Sequence, residues 1–173
     1  MNDYMKKILL ITILFVTALA ASAQDTISAY LSCDPPMAYI LNKPRGATVM
    51  TLSYEKSYVF SLTSPQEGWW KIMEFWNAED DEDTTVLEGS DTGEYWIHYT
   101  ALGLGTRNYG GQEIYLRAEP DEDATVVFTT KQEIELMPID IQGDWIKVNV
   151  DGYDIVGWIE AEWLCSNPLT NCC

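Results

Sequence analysis

"DWIKVNVDGYDIVGWI", residues 144–159, decides how the rest of the chain is read. Ile146, Val148 and Val150 alternate with Trp145, Lys147 and Asn149, the period of two that sends one set to a core face and the other to the opposite face of a β-strand. Asp151-Gly152 then separates this run from a second alternating one ending at Ile159. That dipeptide predicts a tight hairpin, because a type I′ turn needs positive φ at both central residues. No stretch beyond the N-terminus reads as a long helix. Short strands joined by turns in so small a span predict an all-β fold of small, partly open barrels.

The same pattern occurs twice. "YILNKPRGATV" from Tyr39 parallels "YLRAEPDEDATV" from Tyr115, and a tryptophan, Trp69 or Trp145, follows 25 residues after Pro44 or Pro120. Each half returns to a Trp-Ile pair, Trp96-Ile97 and Trp158-Ile159, with a leucine, Leu102 or Leu164, six residues beyond the tryptophan. Anchors recurring in one order are the signature of duplication. The halves are expected at residues 24–108 and 113–173, joined by a glycine-marked linker at 109–112. The first half carries an acidic insertion at about 77–94, "NAEDDEDTTVLEGSDTGE".

The N-terminus combines Lys6-Lys7, an apolar run from Ile8 to Ala20 and Ala21-Ser22-Ala23. These are the three parts of a secretory signal peptide, with cleavage expected after Ala23. The apolar run is shorter than a bilayer core requires, so no membrane insertion is expected after cleavage. The chain is then expected in the periplasm or outside the cell. The full sequence carries a net charge of −17. Such a surface repels nucleic acid and anionic lipid, which both demand basic patches.

The second half resembles a bacterial SH3 domain of the SH3b type. The resemblance rests on "YLRAEPDEDATVV" as opening strand and turn, "GDWIKV" as middle strand and "GWIEAEWL" as closing strand. The first half is similar through "GWWKI", although Tyr95 stands where the other half has the glycine of its Gly-Trp pair. The resemblance implies two tandem small SH3-like β-barrels, the first with an acidic hairpin insertion. It also implies a targeting module for a cell-wall (peptidoglycan) fragment or an extracellular protein.

Catalysis has little support in the residues. The cysteine peptidases that accompany such modules need a Cys nucleophile and a His base. The chain has one histidine, His98, and no cysteine near it in sequence. With one histidine there is also no zinc site based on histidine unless several of the cysteines join it. The run Glu79–Asp83 lacks the ligand spacing and turn glycine of an EF-hand loop, so solvated loop is its reading. Neither a metal nor another cofactor is expected, and the protein is read as a non-enzyme.

Period-two alternation instead places Trp69 with Lys71, and Trp145 with Lys147, on the face away from the core, where an aromatic ring can stack on a peptide or sugar. The resemblance points the same way, since the related SH3 fold lines a peptide groove with such a tryptophan. The expected ligand contacts are Trp69, Lys71, Trp145 and Lys147, flanked by Tyr99 and Trp163. Trp76 is a further candidate beside the insertion. A second reading has the acidic insertion dock on a basic partner, as in an inhibitor or interaction protein.

Export shifts the four cysteines, Cys33, Cys165, Cys172 and Cys173, from metal or redox chemistry toward disulfides. Three pairings are possible, and Cys172 with Cys173 is disfavoured because adjacent residues form only a strained bridge. The resemblance implies Cys165 with Cys172, which leaves Cys33 to reach Cys173.

Overall fold

The computed structural model describes residues 25–32, 36–80, 87 and 89–169. The expected signal peptide therefore lies outside the described residues, as do Cys33, Cys172 and Cys173. Cys165 is buried and disulfide-bonded; the pairing expected from the sequence falls outside the described residues.

The described chain is all-β, with thirteen antiparallel strands and two single-turn 3-10 helices. The first six strands are β1 (Thr26–Leu31), β2 (Met37–Leu41), β3 (Thr48–Ser53), β4 (Tyr58–Gln66), β5 (Trp69–Asn77) and β6 (Trp96–His98). A 3-10 turn at Tyr99–Ala101 leads into β7 (Leu102–Thr106). The later strands are β8 (Ile114–Arg117), β9 (Val126–Thr130), β10 (Glu135–Gln142), β11 (Trp145–Val150) and β12 (Val156–Glu160). A second 3-10 turn, Ala161–Trp163, precedes β13 (Leu164–Cys165).

Hydrogen-bonded neighbours run β3-β2-β6-β5-β4-β1-β7-β10-β11-β12-β8-β9. This path is open, with β3 and β9 at its ends. Read outward from the centre, the two halves are β1-β4-β5-β6-β2-β3 and β7-β10-β11-β12-β8-β9, the same order with every strand advanced by one repeat. Individual pairs also recur. Trp69 faces His98 and Lys71 faces Trp96 in the first half; Trp145 faces Glu160 and Lys147 faces Trp158 in the second. Both β2/β3 and β8/β9 shift register at the same place, before Leu41 and before Arg117.

β7 belongs to both halves. It pairs with β1 at Leu102 and Gly103, as the closing strand of the first repeat. It also pairs with β10 at Leu104 and Gly105, and accepts β13 at Gly105 and Thr106, as the opening strand of the second. The linker expected at 109–112 lies in the β7–β8 connection, where the Gly111 amide donates to the Asn108 carbonyl at 2.9 Å. The second set of pairings thus draws its first strand from before that connection, which the sequence pattern did not indicate.

The hairpin in residues 144–159 forms as expected in its faces and differs in its turn. Ile146, Val148 and Val150 are buried, and Trp145, Lys147 and Asn149 are half-exposed. Among Asp151 and Gly152, only Gly152 takes positive φ (72°), so the turn is not type I′. The Tyr153 amide donates to the Val150 carbonyl at 3.0 Å, and pairing resumes with Asn149 opposite Val156. The connection is therefore longer than a two-residue loop.

One hydrophobic cluster runs through both halves, from Ala29, Phe60, Trp70 and Phe75 to Leu116, Leu136, Val148 and Ile159. Trp70 is fully buried, and its indole N–H donates across the halves to the Pro138 carbonyl at 2.8 Å. Beside β7, the Glu135 carboxylate accepts from the Tyr30 hydroxyl at 2.8 Å and the Ser32 hydroxyl at 2.7 Å. Hydrogen bonds to an ionised acceptor are the stronger kind. Gly103 makes the close approach possible, because a Cβ there would run into the Tyr30 ring and lie 2.9 Å from Glu135 Cδ.

Gly103→Val should therefore cost roughly 1–3 kcal/mol or more through overpacking. Gly105→Ala, two residues along the same strand, should be close to neutral, because its new methyl would meet nothing nearer than 3.9 Å. Urea unfolding checks this: the midpoint falls for Gly103→Val and holds for Gly105→Ala, whereas equal midpoints would contradict the packing account.

Candidate functional site

The first candidate cleft opens where the start of β5 and the end of β6 meet β2. Its volume is about 280 Å³, lined by Pro36, Met37, Ala38, Tyr39, Trp69, His98, Thr100 and Ala101. Strand alternation turns Ala38 and Ile40 into the core and leaves Met37 and Tyr39 on the outer face, 46% and 57% exposed. Trp69 meets the His98 ring edge-on, with centroids 4.8 Å apart, and His98 packs on Tyr99 at 4.6 Å. His98 Nδ1 lies 2.9 Å from Thr100 Oγ1. Among the described residues no carboxylate lines this cleft. The Tyr39 hydroxyl carries no hydrogen bond among the described residues.

Burial, and secondarily the Arg45 guanidinium, holds the His98 pKa below its ordinary 6.5. The ring is thus neutral at physiological pH and presents an apolar, stackable face.

The second cleft occupies the corresponding place between β11, β12 and β8. It is smaller, about 110 Å³, and is lined by Glu113, Ile114, Tyr115, Arg117, Trp145, Glu160 and Trp163. The Tyr115 hydroxyl donates to Glu113 Oε2 at 2.6 Å, and this hydrogen bond to a carboxylate raises its pKa.

The structure thus brings Trp145 and Trp163 together in one cleft and places Trp69 in the other. Tyr99 sits on the 3-10 turn beside the first cleft, half-buried, with its amide donating to the Gly68 carbonyl at 2.9 Å. The lysines line neither cleft. Lys71 Nζ binds Glu94 Oε1 at 2.8 Å, and Glu94 Oε2 accepts from the Trp96 indole at 3.2 Å. Both contacts lower the Glu94 pKa, the lysine hydrogen bond most. Lys147 Nζ lies over the Trp158 ring, 5.8 Å from its centroid. Trp76 is half-buried on β5 opposite Val59 and lines neither cleft.

Sequence reasoning missed Met37, Tyr39, Glu113, Tyr115 and Glu160. A signal for the tyrosines was present, since Tyr39 and Tyr115 head the two copies of the repeated segment. The described ends of the insertion fold back on the body: Asn42 Nδ2 donates to Asp91 Oδ1 at 2.8 Å, and the Thr92 hydroxyl donates to the Asn42 carbonyl at 2.7 Å. Among the described residues no group of three or more His, Cys, Asp or Glu could hold a metal ion. No helix among them is long and apolar enough to cross a membrane.

Residues 112–164 match the family model of the bacterial SH3 domain. The match begins after β7 and ends at the first residue of β13, so the second cleft lies within it. No curated protein matches the chain. Two solved structures are similar at 15% identity: NlpC1 from Trichomonas vaginalis (TM-score 0.31, 83% of this chain and 46% of that chain) and NlpC2 from the same organism (TM-score 0.30, 83% and 49%). The chain spans about half the length of those structures.

Because burial lowers the His98 pKa, the unfolded chain takes up this proton first as pH falls. The His98 contribution to stability is complete above 6.5 and declines as pH drops through it. An NMR titration of the imidazole should give a midpoint below 6.5, and a midpoint at or above that value would contradict the buried environment.

Proposed function

We propose that the protein is an exported, non-catalytic binding module built from two SH3b-type units, and that it takes a cell-wall peptide or glycan in an aromatic cleft. The observation that carries this reading is the recurrence of one Tyr–Trp arrangement, Tyr39 with Trp69 and Tyr115 with Trp145, lining a cleft in each half. The bacterial SH3 match over residues 112–164 supports the module class and, through the family's usual ligands, the cell-wall assignment. The shared strand order and pair register support a second unit of the same kind in residues 26–106. The leader-like N-terminus supports a periplasmic or secreted location.

A small apolar cleft with few polar groups suits the face of a sugar ring or a short peptide side chain, fixed by stacking and one or two hydrogen bonds. The Tyr39 hydroxyl, the Trp69 indole N–H, the His98 imidazole and the Thr100 hydroxyl are the polar groups of the described residues that line the first cleft. The strongly acidic surface does not favour anionic polymers as partners.

Calorimetric titration of the mature protein with soluble disaccharide-peptide fragments of peptidoglycan tests the reading. Binding should be measurable, and Trp69→Ala should weaken it by about tenfold, equal to roughly 1.4 kcal/mol. Absence of binding, or a folded Tyr39→Ala/Trp69→Ala double variant with unchanged affinity, would overturn it.

A further inference from the structure

We propose that the two repeat-related clefts are functionally unequal: the first is the open binding site, and in the second Trp163 fills the space that a ligand occupies beside Trp69. This rests on reading the clefts as binding sites, and adds which one is used and which residue decides it.

The comparison is possible because the frames coincide. Each cleft is built from the first residue of a middle strand, the last residue of the strand facing it, and a following 3-10 turn. The residues flanking the two turns have nearly the same backbone angles: His98 (−83°, 143°) and Glu160 (−67°, 137°) before, Leu102 (−114°, 141°) and Leu164 (−115°, 147°) after. The third residue of the turn is Ala101 in the first repeat and Trp163 in the second, and each lines its cleft. With the backbone held in common, the side chain sets the opening. The cleft bounded by alanine measures about 280 Å³, and the cleft bounded by tryptophan about 110 Å³.

The polar groups differ in the same sense. Glu113 stands in the second cleft where Met37 stands in the first, and it engages the Tyr115 hydroxyl, while the equivalent Tyr39 hydroxyl has no partner among the described residues. Glu160 stands where His98 does, so the smaller cleft also carries carboxylates that a neutral ring or acyl group would have to desolvate. The first cleft therefore selects a neutral, stackable group, and the second admits no such group while Trp163 is in place. Replacing Trp163 leaves the local backbone anchored, because its carbonyl accepts the Arg107 amide at 2.9 Å.

The test reads the indole N–H signals of Trp69 and Trp145 in the intact protein by NMR, assigned in wild type from through-bond and NOE connectivities. In wild type, the neutral paramagnetic probe TEMPOL should broaden the Trp69 signal several-fold more than the Trp145 signal. Trp163→Ala should bring Trp145 up to the level of Trp69, and Ala101→Trp should protect Trp69. Equal broadening of both indoles in wild type, which requires no variant to fold, overturns the proposal. So does a folded Trp163→Ala protein in which Trp145 stays protected. Titration with the same peptidoglycan fragments should shift only the Trp69 signal in wild type, and a shift at Trp145 there would also overturn the proposal. If the fragments shift neither indole while TEMPOL gives the expected pattern, the cell-wall reading fails and the asymmetry stands.

Discussion

The double pairing of β7 is the constraint on which the rest of the structure depends. A strand at the end of one repeat would ordinarily leave an edge of unpaired N–H and C=O groups, which folded proteins must cover or blunt. Here that edge opens the next repeat: Gly105 has Glu135 across one side and Cys165 across the other. The packing follows from this arrangement. With β1 and β10 on opposite sides of one strand, Tyr30 and Ser32 reach the Glu135 carboxylate, and residue 103 has room only for a hydrogen. The Trp70 indole then finds its acceptor at Pro138, in the other half. The core is continuous because the hydrogen-bonded frame is continuous.

The two candidate clefts sit at the 3-10 turns of this frame. The turns follow β6 and β12, and although the first leads directly into β7, no residue of the shared strand lines either cleft. The two frames share strand order and pair register and differ at a few cleft side chains, Ala101 against Trp163 among them. The lysines beside the tryptophans illustrate a different outcome. Both are held by neighbours, Lys71 by Glu94 just before β6 and Lys147 by Trp158 on β12, so packing alone accounts for the recurring Trp-x-Lys pattern.

Local pattern made much of the fold legible. Alternation in residues 144–150 predicted the buried face residue by residue, and the spacing of Pro, Trp, Trp-Ile and Leu predicted the repeat that the pair register reproduces. The turn at Asp151-Gly152 was misread because the dipeptide permits positive φ at both positions without imposing it, and the strand register settled at Val156. The shared strand was not legible, because nothing in "LGLGT" says that it is paired on both edges. That depends on β1, β10 and β13, which are distant in sequence. Of the expected contacts, Trp69 and Trp145 line clefts, their facing set by strand period, and Trp163 does so from its 3-10 turn, whereas Lys71 and Lys147 were drawn away by Glu94 and Trp158.

If β7 joins the repeats into one hydrogen-bonded and packed unit, neither half has a complete sheet without the other, and the chain must unfold as a whole. Differential scanning calorimetry of the purified, oxidised protein tests this most directly. A single transition whose calorimetric and van't Hoff enthalpies agree is the predicted result. Two resolved transitions, or a calorimetric enthalpy well above the van't Hoff value, would show two independently folding domains and contradict the account.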